Sequence, residues 1–127
     1  MNAFRKVELR TAEDGRAGFH ESDIPLNEGT PSSRLSEVLP ASGLQLRTSP
    51  PGFTSEFHCT PVPQWVFILS GVMEIGLQDG SFRRFSAGEH FLSADTLPPG
   101  ARFDPAVHGH RSAQVGDAPL VTLFIKR

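Results

Sequence analysis

From residue 44 onward the chain is built of short stretches in which apolar and polar side chains alternate, each cut off by glycine or proline. Alternation with a period of two is the mark of a strand with one face buried, and the breakers mark the turns between strands. Leu44, Leu46 and Thr48 alternate with Gln45 and Arg47, which predicts a half-buried strand ending at Pro50-Pro51-Gly52. A strand carrying His58 and Thr60 follows, then a turn stiffened by Pro61 and Pro63, then a β-branched and aromatic strand from Gln64 to Leu69. Val72 to Leu77 puts Met73, Ile75 and Leu77 on one face and Glu74 on the other. Asp79-Gly80 is a strong hairpin signal, with Ser81 to Phe85 returning along it. Ser86 to Glu89 turns the chain into a strand from His90 to Ala94, and Pro98 to Pro105 reads as an irregular inserted loop. His108 to Val115 and Leu120 to Ile125 complete the set.

The first 43 residues are less regular. Val7 and Leu9 between charged neighbours suit a peripheral strand, and Phe19 to Ile24 an edge strand closing at Pro25. Gly29 and Pro31 make Asn27 to Ser33 a loop. Leu35 to Leu39 reads as a strand stopped by Pro40, with one short helical turn as the alternative. The sum is eight to eleven short strands joined by tight turns, the sequence form of a closed all-β architecture that can hold one ligand inside.

Composition narrows the function classes. The 127 residues make one domain, with room for a real core. Twelve basic against fourteen acidic residues give a net charge of −2, which argues against nucleic acid or a membrane surface as partner. A single cysteine and an N-terminus without an apolar run point to a cytoplasmic protein. Serine–histidine–acid catalysis has no local signature here.

The stretch from Gly52 to Gly71 carries the most specific pattern. Five residues separate Gly52 from His58, Thr60 stands two further on, Gln64 follows after three more, and Gly71 after another six. This spacing resembles the first motif of the single-domain cupins, with Thr60 where the family has a second histidine and Gln64 where it has a glutamate. Gly88-Glu89 and the strand after it resemble the opening of the second cupin motif. Its Pro-x-Gly turn is missing, and its histidine is matched by His110, with His108 as the alternate. The resemblance runs from about Leu35 to Ile125. It implies a double-stranded β-helix, or jelly-roll, barrel over residues 35–127, with residues 1–34 as extra N-terminal strands and a loop packing on the barrel or on a dimer partner. It also implies a homodimer paired through those N-terminal strands.

The same likeness implies a site in the barrel cavity. The family's three histidines and one carboxylate hold a divalent metal; the matching set here is His58, Gln64 and His110. Iron, manganese, nickel, copper or zinc would suit imidazole donors. That set lacks an anion unless Asp95 or Glu56 turns inward, and the chance of a bound metal is about even on ligand chemistry. Without a metal, His58, Thr60, Gln64, His110 and Arg47 become hydrogen-bonding walls for a small polar ligand. Arg47 and Arg111 are each candidates to hold a carboxylate, with surface exposure as the plainer reading. Cys59, opposite to His58, reads as a buried, inert thiol, His90 as structural and His20 as exposed. Two functions follow: a protein that binds a small polar molecule, or a metal-dependent dioxygenase, lyase or isomerase.

Overall fold

The computed structural model describes residues 2–127. Eleven strands and no helix occur among the described residues. A six-stranded sheet has the order β2-β1-β9-β6-β11-β5, formed by Ala17–Pro25, Ala3–Thr11, His90–Ala94, Gln64–Ser70, Leu120–Lys126 and Gly43–Ser49. A three-stranded sheet has the order β10-β7-β8, formed by Arg111–Val115, Val72–Gly76 and Phe82–Ser86. The all-β expectation therefore holds. The closed ring does not, because β2 and β5 remain unpaired along their outer edges.

The two sheets share one core. Val7, Leu9, Val66, Ile68, Phe91 and Leu120 of the large sheet form a single cluster with Met73, Ile75 and Phe85 of the small one. This is the period-two pattern at work, since each of these residues has neighbours that point to the opposite face. Phe85 packs against Phe91 with ring centroids 4.7 Å apart and against Phe19 at 5.9 Å. The Asp79-Gly80 hairpin forms as its sequence demands: Gly80 takes a φ of +87°, and the Asp79 carboxylate accepts from the Ser81 amide at 2.8 Å.

Four local expectations are corrected. β1 is not peripheral: it lies between β2 and β9, and Leu9 is wholly buried. Its parallel pairing with β9 through Glu8, Leu9 and Arg10 fills a place in the sheet that sequence distance hides. The segment read as a loop over Asn27 to Ser33 forms a small hairpin, β3 (Glu28–Thr30) with β4 (Ser33–Leu35), while the chain after Leu35 is irregular. β5 turns Leu44 and Leu46 outward, 64% and 68% exposed, and brings Arg47 inward. Finally, no strand carries His58 or His110; the last stretch becomes regular only at Arg111.

Candidate functional site

An irregular segment, residues 50–63, holds His58 and Thr60 against the open end of the sheets. Alternation along a strand does not orient these side chains. Backbone bonds to other elements do. The Gly52 amide donates to Gln114 Oε1 at 2.8 Å, and the Gln114 amide donates to the Phe53 carbonyl at 2.9 Å. The Ser55 amide reaches the Ser112 carbonyl at 2.8 Å, and the Thr60 amide the Asp95 carbonyl at 2.8 Å. Between them His58 and His110 exchange both of their backbone hydrogen bonds, at 2.9 and 3.0 Å, as one antiparallel pair. Residues directly opposite in such a pair carry their side chains on the same face. The two imidazoles accordingly lie 4.8 Å apart, centroid to centroid.

These residues line a cavity of about 100 Å³. Arg47, His58, Thr60, Gln64 and His110 all border it, together with Val66, Met73, Ile75, Phe91 and Phe124. The five ligand-binding candidates are thus brought together from β5, the 50–63 segment, β6 and the approach to β10. His108 is elsewhere. Its ring packs on Gly15, and its Nδ1 accepts from the Asp104 amide at 2.9 Å. Arg111 is exposed and lies over the Phe57 ring. His90 sits on the outer face of the large sheet among Phe4, Trp65 and Phe67. Cys59 is only partly buried, and burial pushes its thiol up, so it is a poor nucleophile.

The two histidines differ in setting. His110 is 4% exposed and its Nδ1 lies 2.8 Å from Asp95 Oδ2. Asp95 is completely buried, and its other oxygen accepts from the Thr11 hydroxyl at 2.8 Å. A carboxylate offers only acceptors, so His110 Nδ1 donates to Asp95, and Nε2 has no partner among the described residues. His58 stands at the mouth, solvent-exposed on one side, with its Nδ1 2.8 Å from the Glu56 carbonyl. That contact likewise puts the proton on Nδ1. Loss of water around the ring lowers the His58 pKa, and the neighbouring His110 and Arg47 lower it further, against the Glu56 carbonyl, which raises it. His58 is therefore neutral at pH 7.

A divalent metal fits this donor set poorly. Two imidazoles and the Gln64 amide supply no negative charge, and amides are weak ligands for transition metals. Thr60 is tied to Ser93, hydroxyl to hydroxyl, at 2.6 Å. Asp95 has both oxygens engaged behind His110, Glu56 is exposed, and Arg47 brings a cation to the same cavity. Among the described residues, no three His, Cys, Asp or Glu side chains come together as a metal site would require. The partnership of Asp95 with His110, and of Ser93 with Thr60, is beyond sequence spacing; the one local hint is an aspartate closing the buried strand His90–Ala94.

Wider clefts lie elsewhere on the molecule. One of about 400 Å³ on the outer face is lined by Phe4, Leu39, Trp65, Phe67 and Ile125 among others, with no ionisable side chain. Among the described residues no helix is long and apolar enough to cross a membrane. A scan against protein-family models finds no match to this chain, and a search of curated proteins finds none either, so its functional reading rests on the residues of the cavity themselves.

Proposed function

We propose that this protein binds a small polar molecule in the cavity between its two sheets, on a jelly-roll scaffold of the cupin kind. The observation that carries this reading is the His58–His110 pair. Both rings are held by their Nδ1 atoms, at the Glu56 carbonyl and at Asp95, which leaves both Nε2 atoms unengaged within the chain beside Gln64 and Thr60. Fixed acceptors next to an amide read hydroxyl and N–H groups with little loss of side-chain freedom on binding. Spacing from Gly52 to Gly71 supports the cupin scaffold, as does a shared core between facing sheets. The metal-dependent dioxygenase, lyase or isomerase needs a charged cage that the residues do not provide.

NMR titration with small polyols, amides and hydroxy acids tests the reading. The imidazole signals of His58 and His110 should move on binding, and His110→Phe should abolish the response. Shifts confined to Trp65 and Phe67 on the outer face would overturn it. So would a stoichiometric divalent metal that is lost on His58→Ala, which would restore the enzyme alternative.

The same outer face supports a homodimer. Leu44, Leu46, Trp65, Phe67, Leu123 and Ile125 stand side by side on three adjacent strands, exposed or half-buried. Strand spacing makes this patch roughly 15–20 Å in each direction, about the size of the apolar centre of a standard interface. It carries no charge to match a charged partner, and a second copy under a twofold axis offers the same uncharged surface. β1 and β2 present Lys6, Glu8 and His20 on that side, and Phe4 with Ile24 next to Trp65 and Phe67. Light scattering should give twice the mass of one chain, falling to one chain in the double variant Leu44→Glu, Leu46→Glu. A single-chain mass for the unaltered protein at high concentration would exclude the dimer.

A further inference from the structure

Arg47 is a cavity residue whose charge no described side chain answers. Its Nε and Nη2 atoms are buried without a hydrogen-bond partner among the described residues. The guanidinium lies 4.9 Å from the centroid of the Phe124 ring and 5.5 Å from that of Phe53. Asp95, buried behind His110, is already held by His110 and Thr11. Burial pushes Arg47 below its ordinary value, yet a guanidinium remains charged in proteins. Burying an uncompensated cation is costly, and water can satisfy its N–H groups without neutralising it.

The geometry points to a small carboxylate as the ligand, bound side-on by Arg47. This assignment rests on the cavity being a small-molecule site, as proposed above. Nε–H and the adjacent Nη2–H form one edge of the guanidinium, the edge that meets both oxygens of a carboxylate in parallel hydrogen bonds. The aromatic rings flank the guanidinium, and no described group hydrogen-bonds to that buried edge. Opposite charge is supplied by the ligand, where a metal cage would have needed the protein to supply it. His110 Nε2 and the Gln64 amide then accept from a hydroxyl or N–H on the same molecule. Volume sets the size. A cavity of about 150 Å³ holds benzene, with its six carbons, so about 100 Å³ suits an acid of roughly four or five non-hydrogen atoms. Short hydroxy acids meet all three conditions.

Calorimetry with acetate, glycolate, lactate and pyruvate, each beside its neutral amide, tests the assignment in the full chain. At least one acid should bind at least tenfold more tightly than its amide. Arg47→Met should lose that acid by tenfold or more while melting no lower than the unaltered protein, since it removes a buried, unanswered charge. A purely structural arginine would behave oppositely, with lower melting and unchanged preference for acids. Equal affinity for acid and amide overturns the carboxylate but leaves the cavity reading standing, as does binding of a polyol that shifts His58 and His110. Inorganic phosphate binding more tightly than every acid also overturns it. Silence from every acid, amide and polyol overturns both readings together.

Discussion

Replacing Gly109 with alanine should dismantle the site and lower stability by about 3 kcal/mol. Gly109 has a φ of +87°, and a Cβ there would stand 2.6 Å from the His58 carbonyl oxygen and 2.9 Å from its amide nitrogen. Both contacts are with backbone, so no side chain can swing aside. The left-handed conformation alone costs a non-glycine residue about 1 kcal/mol or a little more. The clash then breaks the two hydrogen bonds between His58 and His110, each contributing about 1 kcal/mol. Gly88 is the matched control. Its φ is +89°, but a Cβ would meet nothing within 4 Å, so Gly88→Ala should cost only the conformational part, about 1 kcal/mol. Urea denaturation of the two variants separates the effects. Equal losses would show that close approach of the His58 backbone does not matter.

Asp95→Ala should be as damaging for a different reason. It leaves the buried His110 Nδ1–H without its partner, while the Thr11 hydroxyl keeps the Thr96 carbonyl at 2.9 Å. Breaking a buried pair from one side costs about 3 kcal/mol or more, because the surviving group is neither solvated nor bonded. Asp95→Asn is the sharper probe of function. Its carbonyl can keep the Thr11 contact, but its amide then presents N–H to His110 Nδ1. The imidazole must move its proton to Nε2, and the cavity loses an acceptor and gains a donor. Ligands that donate to His110 should weaken by tenfold or more, with stability reduced less than in the alanine variant. Nitrogen shifts of His110 report the tautomer directly. An unchanged pattern in Asp95→Asn would show that Asp95 does not set the ring's proton.

Much of the strand order was legible because alternation and breakers act over neighbouring residues. The runs containing Met73 and Ile75, the Asp79-Gly80 turn and the strand Leu120–Lys126 all form where local pattern places them. His58, Thr60, Gln64 and His110, grouped by the cupin resemblance, border one cavity, and so does Arg47, for which the sequence alone makes surface exposure the plainer reading. For His58 and Thr60 the route differed: cross-chain backbone bonds, not a regular strand, aim them inward.

What the sequence by itself determined is the all-β class, the turn positions and the residue types that face one another across the cavity. Those follow from period, torsional freedom and polarity, which are local properties. Only the tertiary structure decided which face of β5 is inside, because Leu44 and Leu46 are outward solely through the placement of the neighbouring strands. It also chose His110 over His108, two residues apart, by fitting one against Asp95 and the other against Gly15. The unanswered charge of Arg47 belongs to the same class of fact. Whether a guanidinium has a partner depends on everything folded around it, and no spacing along the chain records that.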